Sequence, residues 1–380
     1  MPKFASILLT FVLVASAASS QPITNSGPSF PQIERVNKIV QAFQAKYQIP
    51  GISLAISHNN KLVYAVASGY SDKEAEKPLS LDDRMRIASC TKPLTSIAIL
   101  LLSERKQLRL SDPVFGPQSL LGPEYREPSF EGAKVRLTVE QLLSHTGGGW
   151  GNERDDPMFV YTGLDGKDLI NKVLDQRSLE YKPGTKYLYS NFGYSILGRV
   201  IEKVSGVSYE EFVKSNVLEP LGIHGMRIGA PNSAADEVKY YSNEGFDPTR
   251  LSPAHMDSHG GWIANPIELL KVLSAIDRFP NGKPLLQGST IAVMTKPPLS
   301  SSNYALGLSV NRSNNWWHTG SLPGTSSEIG RTASGFCWAI LVNTRPGSAR
   351  SAEFGRDLDQ LFWNIHESVR QWPEGEPLLP

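Results

Sequence analysis

Apolar side chains at Ile33, Val36, Ile39, Val40, Phe43 and Tyr47 recur at helical spacing. They predict an amphipathic helix that ends before Pro50-Gly51. Ile52, Leu54 and Ile56 then alternate with smaller residues, His58-Asn59-Asn60-Lys61 turns, and Leu62 to Ala67 returns. That pattern predicts a two-stranded hairpin. From Asp83 to about Lys296 the signals are mostly helical, in short segments separated by Pro/Gly loops. Thr138-Val139-Glu140-Gln141 and Ser208-Tyr209-Glu210-Glu211 carry the spacing of capping boxes. Phe192, Ile196, Val200, Ile201 and Val204 form an apolar stripe suited to core packing. Short strand-like runs resume at Tyr304–Val310, Trp316–Thr319, Ser326–Arg331 and Phe336–Asn343. Phe354, Leu358, Leu361, Phe362 and Ile365 predict a closing helix.

Strands at both ends with helices between them predict an α/β (α+β) fold. One antiparallel sheet would be built from residues 31–82 and 297–370 and flanked by the two terminal helices. Residues 83–296 would form an inserted all-helical lobe, with a cleft between the lobes where ligand sites are favoured. Residues 21–30, rich in Pro, Ser, Asn and Gly, read as a flexible leader.

Composition narrows the function. Apolar residues make up 40% of the 380, enough for a sizeable core. Lys+Arg number 38 against 37 Asp+Glu, so the chain lacks the basic footprint of a nucleic-acid or anionic-membrane binder. Lys3, the apolar run Phe4 to Ala15 and the small residues Ala15-Ser16-Ala17 (or Ala18-Ser19-Ser20) predict a cleaved secretory signal over residues 1–20. The mature chain would start near Gln21, in a secreted or periplasmic compartment, with no membrane span. Secretion leaves a Cys90–Cys337 disulfide open, the alternative being two buried thiols.

Three short motifs each occur twice, and context separates the copies. Ser89-x-x-Lys92 stands where the chain enters the apolar run Ile97 to Leu102, whereas Ser103-x-x-Lys106 lies in a charged turn beside Glu104 and Arg105. At a helix start, an i, i+3 spacing puts the Lys92 amine on the same face as the Ser89 hydroxyl, near free amides that can hold an oxyanion. Tyr189-Ser190-Asn191 opens the apolar helix from Phe192, whereas Tyr241-Ser242-Asn243 sits in a polar stretch. His318-Thr319-Gly320 follows Trp316-Trp317 on a strand, with the glycine available for close approach of a substrate. His145-Thr146-Gly147 opens a glycine run that reads as a shaped loop beside the cleft.

The order Ser89-x-x-Lys92, Tyr189-x-Asn191, His318-Thr319-Gly320 resembles the three active-site motifs of the beta-lactamase-related serine hydrolases. That superfamily contains class C β-lactamases, DD-peptidases, D-aminopeptidases and related esterases. Leu142 to Gly147, Tyr181 to Gly206, Pro220-Leu221-Gly222 and Gly260-Gly261-Trp262 carry the likeness over roughly residues 31–370. The resemblance implies the class C β-lactamase and penicillin-binding-protein fold, and it implies no cofactor. It makes Ser89 the acylated nucleophile and Lys92 with Tyr189 the base, acting as a unit whose clustering would lower one or both pKa values. Asn191 would hydrogen-bond Lys92 and a substrate carbonyl. The Ser89 and Ser321 amides would form the oxyanion hole, and His318, Thr319 and Gly320 would line the substrate.

Many members carry Lys where this chain has His318, a side chain largely neutral at pH 7. That departure argues against an efficient β-lactamase. It leaves an ester, an amide or a D-amino-acid peptide as substrate. The alternative is a catalytically silent member that binds cell-wall peptide or acts as a scaffold. His255, Asp257 and His259 read as loop residues rather than a metal site, because no helix-borne ligand pair accompanies them. Asn311-Arg312-Ser313 is a glycosylation sequon in a predicted turn.

Overall fold

The structure, a computed structural model, describes residues 21–230 and 234–379. The expected signal segment lies outside these residues. In chain order the main elements are β1 (Ile23–Ser26), α1 (Ile33–Tyr47), β2 (Gly51–His58) and β3 (Lys61–Asp72), followed by α2 (Lys92–Glu104), α3 (Asn191–Ser205) and α4 (Pro266–Asp277). Then come β4 (Ser309–Val310), β5 (Trp316–Leu322), β6 (Thr325–Arg331), β7 (Phe336–Val342) and α5 (Ser348–Ser368).

The sheet runs in the order β1-β3-β2-β7-β6-β5-β4, and all of these pairs are antiparallel. The β2–β3 turn places Asn59 and Asn60 at positive φ, 50° and 61°, as a tight two-residue hairpin requires. β7 pairs with β2 in register from Phe336 opposite His58 to Val342 opposite Ile52. This joins the two ends of the chain.

Alternation along the central strands assigns each face a separate core. Ile52, Leu54, Ile56, Val66, Trp338, Ile340 and Val342 pack under α1 and α5. Ala55, Ala65, Ala67, Ala339 and Leu341 face the helical side. The small side chains of Ala55 and Ala339 let α4 lie directly on β2 and β7.

The residues expected to be a flexible leader instead form β1, which pairs with β3. Side-chain amides of Asn25 and Asn37 exchange two 2.9 Å hydrogen bonds and tie this edge to α1. The Thr138 capping box is present in full, with the side chains of Thr138 and Gln141 each bonded to the other's amide. At Ser208 only the serine half forms. A third box, Asn265 with Glu268, opens α4. Of the run Tyr304–Val310 only the last two residues are strand. Cys90 and Cys337 are both free and buried, so the open disulfide is not made. The Cys90 thiol donates toward the His318 carbonyl, and the Cys337 thiol donates toward Asp277.

Candidate active site

Ser89 sits in the single 3-10 turn Ala88–Thr91 that runs straight into α2. The turn is strained at Ala88, a non-glycine residue at φ 47°. Such strain persists only where the surroundings over-determine it. They do so here. The Ile87 amide donates to the Trp262 carbonyl at 3.0 Å, and the Ile87 carbonyl accepts from Ser327 Oγ at 2.7 Å. Pro93 falls in the first turn of α2, where a missing N–H is harmless.

Lys92 is fully buried, and its Nζ has three oxygen neighbours: Asn191 Oδ1 at 2.7 Å, the His259 carbonyl at 3.0 Å and Ser89 Oγ at 3.0 Å. Burial pulls its pKa down to about 7, against the opposing pull of the Asp156 charge. A neutral amine has two N–H bonds and one lone pair. Asn191 Oδ1 and the His259 carbonyl can only accept, so they take the two protons. The lone pair is left facing Ser89.

Which end of the Asn191 amide meets Lys92 is fixed from behind. Asn191 Nδ2 donates to Asp156 Oδ2 at 2.8 Å, and a carboxylate cannot donate back. Asp156 is held by the Met158 amide on its other oxygen, and Asn152 Oδ1 accepts from the Asn191 amide. Ser190 caps α3 by accepting from the Gly193 amide and donates to the Trp150 carbonyl.

Tyr189 places its ring 4.7 Å from the Lys92 ammonium position. Burial raises its pKa well above 10, and the neighbouring Ser89 hydroxyl only partly offsets this. The two members of the expected base pair therefore move apart. Desolvation disfavours the charged form of each, so the amine becomes a better base while the phenol stays protonated.

β5 alternates along its length, with His318, Gly320 and Leu322 buried and Thr319 and Ser321 exposed. Only its first two residues pair with β4, so the outer edge from His318 onward faces the nucleophile turn. Thr319 and Ser321 line the cleft together with Ser89, Tyr189, Asn191, Asn152, Asp156 and Phe159.

His318 is corrected from the expectation of a substrate contact. Its ring is buried against Tyr304 and does not line the cleft, with Nε2 3.0 Å from Tyr304 Oη and Nδ1 2.7 Å from the Thr319 carbonyl. Burial and the nearby Lys92 hold it neutral, with a pKa of about 3. Gly320 likewise serves a different close approach from the one expected. A Cβ there would run into the Ile87 carbonyl and the Ala88 side chain, so the glycine lets β5 lie against the nucleophile turn.

Asp156, in an irregular loop, carried no sequence signal, and His145 lies in the shaped loop expected beside the cleft. His145 Nδ1 accepts from the Ser190 amide at 3.1 Å, and its ring lies 4.2 Å from that of Tyr189 and 4.6 Å from that of Tyr304. His255, Asp257 and His259 do not converge. His255 Nε2 bonds the Met158 carbonyl, Asp257 pairs with Arg199, and His259 contributes its backbone carbonyl to Lys92. Among the described residues no cluster of three or more His, Cys, Asp or Glu could hold a metal ion. The decoy Tyr241 bonds Glu74 and the Lys73 amide at the surface.

Comparison with known proteins places the chain. The family model described as Beta-lactamase matches residues 36–361. Esterase EstB of Burkholderia gladioli is 27% identical over 246 residues, covering 62% of this chain and 61% of that protein. Penicillin-binding protein 4* of Bacillus subtilis is 28% identical over 215 residues, covering 55% and 44%. The chain thus spans less than two thirds of the length of these curated relatives. Among solved structures, the D-amino acid amidase of Ochrobactrum anthropi SV3 superposes with a TM-score of 0.70 at 22% identity, covering 88% of this chain and 100% of that one.

Proposed function

Because the chain belongs to the beta-lactamase family, we propose that it is a serine hydrolase that cleaves an uncharged ester through an acyl-enzyme on Ser89. The observation that carries this reading is the Lys92 amine. It has two obligate acceptors and a pKa of about 7, so its lone pair is turned toward Ser89 Oγ at 3.0 Å. In the first step Ser89 Oγ bonds the substrate carbonyl carbon while its proton passes to Lys92. The Ser89 and Ser321 amides hold the resulting oxyanion. The carbon–oxygen bond to the alcohol then breaks, and the alkoxide takes a proton from Lys92 by way of the Tyr189 phenol. Water attacks the acyl-enzyme, Lys92 accepts its proton, and the proton returns to Ser89 Oγ as the acid leaves.

Charge in the cleft favours an ester over a carboxylate-bearing peptide. Arg345 lines the cleft but is paired with Glu244, and His318 is neutral and buried. Asp156 adds a buried carboxyl to the same wall. A substrate carboxylate would therefore have to compete with Glu244 for its cation. EstB, an esterase by name, points the same way. The amino-terminal pattern supports export of the chain as part of the same proposal.

A fluorophosphonate probe tests the nucleophile. It should label the protein, Ser89→Ala should abolish labelling and ester turnover, and Ser103→Ala should change neither. Labelling that persists in Ser89→Ala would overturn the assignment. A folded protein that neither labels nor turns over p-nitrophenyl esters, D-alanyl peptides or a chromogenic cephalosporin would instead be a silent binding member.

A further inference from the structure

Next to the cleft lies a second concavity of ≈ 460 Å³, walled by Met158, Phe159, Phe246, Leu251 and Met256. Phe159 borders both spaces. Beneath them Leu251 and Met256 pack in one buried cluster with Leu322 of the cleft wall and Ala88, the residue before the nucleophile, so the floor between the two is apolar. Phe159 and Phe246 are 42% and 39% exposed, a large apolar area beside an otherwise polar site. Isolated exposed apolar residues need no explanation, but two aromatics converging on one apolar hollow mark a ligand surface. The charges at its rim do not close it. Arg250 is exposed to solvent, and the His255 ring is engaged by the Met158 carbonyl.

We infer that this concavity is the acyl subsite, which takes an apolar aliphatic or aromatic group attached to the substrate carbonyl. The inference rests on the esterase reading above. None of Ser89, Lys92, Tyr189 and Asn191 lines the concavity. A leaving alcohol must stay within reach of the proton donor, whereas the acyl group stays bonded to Ser89 and can extend away from it. The group held next to Phe159 is therefore the acyl chain. Phe159, which borders both spaces, gives it an apolar path from the cleft.

Chain-length kinetics test this. With p-nitrophenyl acetate, butyrate, hexanoate and octanoate, kcat/KM should rise with each methylene until the hollow is filled. Full burial of a methylene corresponds to about fourfold. Phe246→Ser, which opens one wall, and Thr162→Trp, which fills the hollow from an exposed position, should both flatten this rise. Leu299→Ser, at a fully exposed residue elsewhere, should keep it. A flat acyl series, an equal slope in all four proteins, or a steeper dependence on the alcohol of alkyl acetates would overturn the inference.

A second measurement separates it from the esterase reading. N-phenyl-1-naphthylamine should bind the Ser89→Ala protein with enhanced fluorescence, and Thr162→Trp should weaken that binding. If no ester is hydrolysed but the probe behaves this way, the esterase reading falls and the apolar site stands. If esters are hydrolysed but neither slope nor probe responds to the variants, the subsite falls and the esterase reading stands.

Discussion

At the scale of single residues, the site turns on which atoms can donate. Asp156 accepts only, so Asn191 must present its oxygen to Lys92, and Lys92 must present its lone pair to Ser89. The pH dependence follows. Lys92 works as a base when neutral, so kcat/KM for a neutral ester should rise with pH through a midpoint near 7. Around it, burial holds His145, His259 and His318 neutral and Tyr189 protonated. Asp156 supports the protonated amine, so Asp156→Asn should move the midpoint to lower pH. A residue that merely shaped the loop would lower turnover and leave the midpoint in place. Lys92→Ala and Tyr189→Phe should each reduce turnover by about 10²-fold or more, with effects that do not multiply in the double variant. Tyr241→Phe should have no effect. A pH profile of kcat/KM for the wild type and Asp156→Asn, measured with p-nitrophenyl acetate, decides the point.

At the scale of elements, periodicity exposed what is local and missed what depends on neighbours. The helix from Ile33 and the Asn59-Asn60 hairpin were legible because their apolar spacing and turn residues dictate them. Ser89, Lys92, Tyr189 and Asn191 were legible as an ordered set, and the structure brings all four together. His318 was misjudged because alternation alone does not say which face of an edge strand meets the cleft. That is settled by Gly320 packing on the Ala88 turn. Asp156 was invisible because a loop carboxylate has no spacing signature.

β6 holds another group that pattern could not reveal. Glu328 is fully buried beneath α5, with one oxygen accepting from Trp338 Nε1 at 2.8 Å and the other without a partner. Burial raises its pKa from 4.5 to about 8. Between those values the folded chain keeps a proton that the unfolded chain has released, so stability should fall as pH rises from about 4.5 to 8. Glu328→Gln keeps the bond from Trp338 and cannot ionise. Its urea midpoint should therefore drop less between pH 5 and 8 than that of the wild type. Parallel drops in the two proteins would assign the slope to other groups.

At the scale of the whole molecule, one sheet serves two cores and the active site touches only one of them. α1 and α5 close the face away from the cleft, where Trp338 stacks on Phe362 with ring centroids 4.0 Å apart. The same strands present Ala55, Ala339 and Leu341 to the other face, and β5 and β6 carry that face to the nucleophile turn. Stability and catalysis are therefore separable in magnitude but joined in cooperativity. Phe362→Ala removes a fully buried ring that touches nothing in the cleft, and a loss of about 3–5 kcal/mol is the usual cost of such a truncation. Well below its unfolding transition the variant should keep wild-type kcat/KM and fluorophosphonate labelling. On heating, ester hydrolysis and far-ultraviolet circular dichroism should be lost together, at a midpoint several degrees below that of the wild type. The coincidence is the informative part. The strands that carry Trp338 and Ile340 under α5 also carry Ala339 and Leu341 toward α4, so the sheet cannot lose one core and keep the other. Activity that disappears well before the circular dichroism signal would mean that the elements packed on the cleft side unfold on their own. The two faces of the sheet would then be independent units.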